Sequence, residues 1–329
     1  MLYLRVIFLT LFFSVPSQAF MKGFNQAWFK QYYSFQWLDR FYDHDYAENL
    51  LKLSSEANSD IFRIWLFEGT NLNQFELDHY GNPVKIKDEV LKNFRDFLQL
   101  SQKYHQKVYL TFLDGNSFYG IQNSPKLPFW WNMFNDEFDV QKNFFKIALK
   151  PVYELVDQNF KETVTQIDLV NEVNALFYTD IFSSKKEGLS KFLCGAKKGS
   201  PVMVTASLGG YNTEELYFSD FLDESCLDFF DLHFYNDSGS IPHCNEFQNQ
   251  AKNGIRLQLG EFGQLSTTFD DELQSSVTMN FISNAKTCGF ESALAWRLED
   301  VREGYNQDAR FSYLSFGLTR KAYQTFKQQ

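Results

Sequence analysis

The chain has 329 residues, a formal net charge of −10 and an aromatic content of 18%, with 37 Phe. An acidic chain without basic clusters argues against nucleic acid, whose phosphates need Lys and Arg, and against anionic membrane surfaces. A neutral partner such as a polysaccharide fits that balance better. The length suits one large domain, because α/β barrels run to about 250 residues or more as a unit.

Residues 1–19, MLYLRVIFLTLFFSVPSQA, have the layout of a secretory signal peptide. Arg5 gives an early positive charge, Val6 to Phe13 is apolar except at Thr10, and Ser17-Gln18-Ala19 offers small residues at the positions a signal peptidase reads before a cut after Ala19. The run is shorter than the ~20 residues of a membrane-spanning helix. Export is therefore expected, with a mature domain 20–329 and no membrane attachment after cleavage. No second apolar stretch is long enough to span, and no low-complexity linker marks a second domain.

Eight β-rich apolar runs follow, at 22–28, 61–67, 107–113, 164–171, 201–206, 229–235, 255–260 and 290–296. Several are nearly continuous in apolar residues, as parallel strands covered on both faces are. Helical patterns lie near 45–58, 88–105, 139–158, 181–193, 213–224, 246–253, 270–287 and 312–327. In 88–105, Val90, Leu91, Phe94, Phe97, Leu98 and Tyr104 share one stripe, with Asp88 placed as an N-cap. Gly289 is placed to end the helix before it. This alternation predicts a (β/α)8 TIM barrel as a single domain. An open doubly wound sheet fits less well, since no Gly-rich phosphate loop follows the first strand.

In such barrels the C-terminal strand ends and the loops after them build the site. Arg63 lies in the second strand. Asp114 and Asn116 follow the third, Asn171 and Glu172 end the fourth, and His233 and Tyr235 end the sixth. Glu261 ends the seventh and Trp296 the eighth. Two carboxylates facing each other across a barrel mouth suit glycoside hydrolysis, where one protonates the leaving oxygen and the other attacks the anomeric carbon. Trp28 and Trp65, at the ends of the first two strands, suit the walls of sugar subsites. Trp130 and Trp131, in the stretch PKLPFWWNMFND, suit either sugar subsites or the packing of a long connection onto the barrel.

The ordered set LVNEV, DLHFY, LQLGEFG and LAW resembles the clan A glycoside hydrolases, above all family 5. The resemblance covers nearly the whole of 20–329 and implies a retaining barrel enzyme acting on β-linked glycans, with no metal or cofactor. It implies Glu172 as general acid/base and Glu261 as nucleophile. Asn171 would bond the sugar 2-hydroxyl, and Arg63 would hold Glu261 ionised. Tyr235 would also bond Glu261, His233 would lie beside the cleavage subsite, and Trp296 would be a platform under the ring. The surroundings of Glu172 would raise its pKa so that it serves as an acid. The run FRIWLFEG is closer to the second strand of β-mannan hydrolases than to that of cellulases. A non-catalytic carbohydrate-binding barrel is the alternative. The sequence departs from the family at Val173, where Pro is usual, and after the third strand, where Asp114 or Asn116 stands in the space of a usual His.

None of the four cysteines has C-x-x-C spacing, and His79, His105 and His243 are scattered, which argues against a metal site. Export permits disulfides. Cys194 and Cys226 end helices in neighbouring units, so they are placed to pair. Cys244 and Cys288 are expected on opposite faces of the barrel, which argues against a bridge between them.

Overall fold

The computed structural model describes residues 19–29, 38–67, 72–118, 121, 124–134, 138–178, 184–210, 212–266, 271–299, 311–315 and 317–329. All of the expected leader except Ala19 lies outside the described residues. Strands β1 (Met21–Asn25) and β2 (Ile61–Trp65) are followed by a separate hairpin, β3 (Phe75–Leu77) and β4 (Pro83–Ile86). The barrel continues with β5 (Lys107–Asp114), β6 (Val164–Asn171), β7 (Met203–Thr205), β8 (Phe230–Phe234), β9 (Leu257–Phe262) and β10 (Ser292–Ala295). A last antiparallel pair, β11 (Leu314–Ser315) and β12 (Leu318–Thr319), precedes the final helix.

The eight barrel strands pair in parallel, in the order β7-β6-β5-β2-β1-β10-β9-β8. A parallel bridge between Leu208 and Leu232 joins the two ends and closes the ring. The expected (β/α)8 barrel is the fold found. Its strands read as apolar runs because helices cover the outside while side chains fill the inside.

The helices are α1 (His44–Glu56), α2 (Asp88–Lys103), α3 (Leu127–Phe134), α4 (Phe138–Phe144), α5 (Lys150–Asn159), α6 (Lys186–Gly199), α7 (Thr213–Phe218), α8 (Cys244–Lys252), α9 (Glu272–Thr287) and α10 (Lys321–Gln328). In α2 the expected stripe is buried at Val90, Phe94, Phe97 and Leu98. Asp88 is the first helical residue rather than the cap, and its carboxylate pairs with Lys85 at 2.8 Å. Gly289, at φ +86°, follows the end of α9 in the left-handed region. The expected single helix over 139–158 is broken by a π-helical turn, Phe145–Leu149. Pro151 has no N–H to continue the regular ladder there. The expected helix over 312–327 begins only at Lys321, because the turn at Gly317, φ +78°, makes a hairpin first.

Two disulfides brace the shell. Cys194–Cys226 joins the body of α6 to the turn before β8, and the pair forms as expected. Cys244–Cys288 also forms, against expectation. The polar loop 236–243, whose Asn236 and Pro242 reach the mouth, packs against α9, where Asn280 Nδ2 donates to the Ser238 carbonyl at 2.9 Å and Asn284 Nδ2 to that of Gly239 at 2.8 Å. Cys244 thereby comes against the far end of α9. No helix among the described residues is long and apolar enough to cross a membrane.

Trp130 is fully buried against Phe118, Phe129, Phe134 and Phe144. Of the two readings of this residue, packing is the one the structure adopts, and a sugar cannot reach it. Trp130→Ala is expected to destabilise the fold by roughly 3–5 kcal/mol, read as a lower denaturation midpoint. Activity per folded molecule is expected to stay near that of the parent.

Candidate active site

The barrel interior is layered. Ile61, Tyr109, Phe229 and Leu294 form an apolar floor, and Ala27, Trp28, Trp65 and Trp296 form an aromatic cluster at the mouth. Between them lies a polar layer built around Arg63, which is fully buried. Its Nη1 donates to Glu261 Oε1 at 2.7 Å and to Asn25 Oδ1 at 3.1 Å. Its Nη2 donates to Asp168 Oδ2 at 2.6 Å and to Asn171 Oδ1 at 2.8 Å, and its Nε to Thr111 Oγ1 at 3.0 Å. A buried guanidinium with every edge engaged is fixed, and it fixes its partners.

Glu261 also accepts a hydrogen bond from the Tyr235 hydroxyl at 2.7 Å. His233 Nδ1 stands 3.1 Å from Glu172 Oε1 and 3.6 Å from Glu261 Oε2. A carboxylate oxygen of Glu172, one of Glu261 and a ring nitrogen of His233 all lie within 4.8 Å of one another. Asn116 Nδ2 donates to Glu172 Oε2 at 2.6 Å. Asp114 accepts from Asn171 Nδ2 at 3.0 Å and from Ser117, and so orients the Asn171 amide. Asn116 and Asp114 thus occupy the space after the third barrel strand.

The backbone at Glu172 is unusual. Its φ of +44° is rare for a residue with a side chain. Ser207 holds it in place: its Oγ accepts from the Glu172 N–H at 2.9 Å, and its carbonyl accepts from the Val173 N–H at 2.9 Å. A proline in place of Val173 has no N–H and could not make the second bond. Gly209 packs beneath the Glu172 side chain, and an added Cβ would stand 2.1 Å from Glu172 Oε1. Gly209→Ala is therefore expected to displace that carboxylate and to cost on the order of 100-fold in kcat, with an unchanged circular dichroism spectrum.

Protons are distributed differently from the sequence expectation. Burial pushes the Glu172 carboxyl up, but the hydrogen bond and charge of His233 and the Asn116 amide outweigh it, leaving the pKa below the ordinary value. Burial pushes Glu261 up to about 7, against the pull of His233 and Arg63. The reason is visible in the ion pairs: Arg63 divides one positive charge between Glu261 and Asp168. Burial carries Asp168 up to about 6 despite Arg63. Burial also lowers the His233 pKa, yet Glu261, Asp231 and Glu172 together carry it up to about 10. The His233 ring therefore sits nearest Glu172, whose pKa is lowered, while Glu261 holds a proton more tightly.

These groups open into a cleft of about 800 Å³, lined among others by Trp28, Trp65, Asp114, Asn116, Asn171, Glu172, Tyr235, Glu261 and Trp296. Arg63 and His233 lie beneath it, fully buried. Trp130 and Trp131 are not in its wall; Trp131 lies under the Lys185 ammonium at 3.9 Å. The sequence reading missed Asp168, Asp231, Ser207 and Tyr109. Asp168 and Asp231 had a signal, since an acid inside an apolar strand must find a partner. Gly210, Glu214, Asn236, Pro242 and Phe311 also line the cleft, and nothing in their spacing marked them.

Fold and site together define a (β/α)8 barrel with two close carboxylates at the C-terminal mouth, above a buried arginine and between tryptophan walls. No protein-family model matches the sequence, and no curated protein matches it. Solved structures do match. One is the β-mannanase of the blue mussel Mytilus edulis, with a TM-score of 0.65 at 17% identity over 94% of this chain and 92% of that one. Another is the endo-1,4-β-mannanase of Eisenia fetida, with a TM-score of 0.67 at 16% identity over 95% and 91%. A third is a GH5_18 protein of Bifidobacterium longum, solved with Manβ1-4GlcNAc, at 0.65 and 16% over 94% and 77%. At these identities the likeness is one of fold, and it is the fold that the ordered motifs led one to expect.

Proposed function

We propose that this chain is a retaining glycoside hydrolase of β-1,4-linked mannan-type glycans, with Glu261 as nucleophile and Glu172 as acid/base. The observation that carries the reading is the approach of Glu172 and Glu261 oxygens to within 4.8 Å. Retaining enzymes hold their two carboxyl groups about 5–5.5 Å apart, whereas inverting ones leave room for a water between them. In this reading Glu261 attacks the anomeric carbon while Glu172 protonates the departing oxygen, and Glu172 then draws a proton from the water that releases the sugar. Asn171 faces the sugar 2-hydroxyl, and Trp296 lies against its apolar face. The mannan preference draws support from the fold likeness to β-mannanases and from the sequence of β2. The two disulfides suit an exported protein, in line with the leader-like residues 1–19.

Reducing-sugar release from β-mannan, glucomannan, mixed-linkage β-glucan, cellulose and xylan tests the reading, with residues 20–329 as the protein. Release from the mannans that vanishes in Glu261→Gln is expected. Glycan binding with no release from any substrate would favour the carbohydrate-binding alternative.

The protonation of the site sets a pH profile. The acid step needs one proton held by the carboxylate pair, and Glu261 keeps one up to about pH 7. kcat/KM is therefore expected to fall as pH rises through about 7. It should fall again in acid, below the ordinary carboxylate pKa, where both groups are protonated and no nucleophile remains. Both limbs belong to the coupled pair. A rate still rising between pH 7 and 9 would contradict this assignment.

A further inference from the structure

The turn after β5 is built against the backbone that ends β6. Asp114 pairs with Asn171 across the two strands. Its carboxylate also folds the turn that follows, accepting from the Asn116 N–H at 3.3 Å, the Ser117 N–H at 3.1 Å and the Ser117 hydroxyl at 2.8 Å. Gly115 lets the turn come close, since an added Cβ there would stand 2.4 Å from the Glu172 carbonyl oxygen and 3.0 Å from that of Asn171. This approach brings the Asn116 amide onto the Glu172 side chain, with Nδ2 at 2.6 Å from Oε2. The other oxygen, Oε1, faces inward: it lies 3.1 Å from Nδ1 of the fully buried His233, and over Gly209. Asn116 is exposed in the cleft wall, so the oxygen it holds is the one on the open side.

We propose that Asn116 is the positioning residue of the acid/base: it holds Glu172 Oε2, the oxygen that passes a proton to the leaving sugar and later takes one from water. This rests on the glycosidase reading above. A carboxylate oxygen offers more than one lone-pair site. Asn116 engages one and leaves another for the proton in transit. In the first step the Oε2–H bond breaks and the proton joins the glycosidic oxygen. That oxygen keeps the electron pair of the opening C–O bond, while Glu261 bonds the anomeric carbon. The second step reverses these transfers with water in place of the sugar. The amide gains and loses no proton in either step, so its hold does not depend on pH. Its N–H bonds more strongly to the ionised carboxylate than to the acid, and so stabilises the form that proton donation creates. The charged or titratable groups facing Glu172 are His233 from β8, Arg63 from β2, Asp114 from β5, Glu261 from β9 and Tyr235 after β8, with Glu214 of α7 in the same cleft wall. Of these, His233 bonds Oε1, which leaves the hold on Oε2 to Asn116.

The test compares kcat/KM on phenyl and 2,4-dinitrophenyl β-mannobioside, because the second leaving group departs without a proton. In Asn116→Ala the acid loses its orientation and gives up its proton less readily. On the phenyl glycoside near pH 6, kcat/KM is expected to fall about tenfold, and on the dinitrophenyl glycoside by no more than about twofold. The alkaline limb for the phenyl glycoside is expected about one pH unit higher. Asn116→Asp keeps the shape and places an anion beside Oε2, so its limb is expected higher still, and it serves if Asn116→Ala folds poorly. Equal losses on both glycosides, or a limb that stays in place in both variants, would overturn the proposal and leave the hydrolase reading intact. A parent protein inactive on both glycosides would instead overturn the mannan-directed hydrolase reading, and the role of Asn116 with it.

Discussion

Glu261→Gln is expected to lower kcat/KM on β-1,4-mannan by on the order of 10⁴-fold or more, the scale on which removal of a covalent nucleophile acts. The amide keeps the shape of the carboxylate: its oxygen can accept from Arg63 and its NH2 can donate to the Tyr235 hydroxyl, the two groups that lie 2.7 Å from the oxygens of Glu261. What it loses is the electron pair that attacks the anomeric carbon. Since Glu261 shares Arg63 with Asp168, the variant leaves Arg63 paired, and the thermal midpoint is expected within a few degrees of the parent. A large loss of activity with little loss of stability distinguishes a nucleophile from a structural carboxylate. A comparable loss of both would identify Glu261 as part of the scaffold.

Arg63→Leu is expected to destabilise the fold strongly, and in a pH-dependent way. It strands Asp168 and Glu261 in the barrel interior without their cation. Breaking a buried pair from one side costs roughly 3–5 kcal/mol, and for a chain of this size that lowers the midpoint by on the order of 10 °C. The deficit depends on pH with a definite sign. Burial lifts Asp168 to about 6 and Glu261 to about 7 against the pull of Arg63, and loss of that pull lifts both further, so acid neutralises the stranded charges. The gap between variant and parent is expected to be widest well above pH 7 and to narrow as pH falls toward 6. Differential scanning calorimetry at pH 5 and pH 8 reads this directly. A gap independent of pH would mean that Arg63 acts by packing rather than by charge.

Much of the barrel was legible because a parallel strand covered on both faces can hardly avoid being an apolar run. The eight runs fell on the eight barrel strands to within a few residues. Glu172 was legible for the converse reason, as a polar residue ending such a run at the wet end of the barrel. What escaped lay one layer deeper. Asp168 stands near the start of the run 167–173, IDLVNEV, yet strand position alone does not say which way it faces or that Arg63 reaches it from β2. Ser207 clamps Glu172 from β7's far end, and serines carry no pattern. Trp130 could not be assigned to wall or core, since a large aromatic serves either. Cys244 was misplaced because its position was taken from element order, whereas the loop 236–243 packs against α9 and brings it to the far end of that helix. The proton distribution depends on one arginine shared by two acids and one histidine between two others. Only distances give that.

The most direct test of the central claim is to trap the covalent intermediate. A 2-deoxy-2-fluoro-β-mannobiosyl fluoride slows both steps but carries a leaving group good enough for the first, so a glycosyl-enzyme accumulates in a retaining enzyme. Peptide mass spectrometry of the labelled protein is expected to place one mannobiosyl adduct on Glu261, with none formed in Glu261→Gln. A protein that hydrolyses mannan but takes no label, or takes it on a residue other than Glu261, would contradict the account.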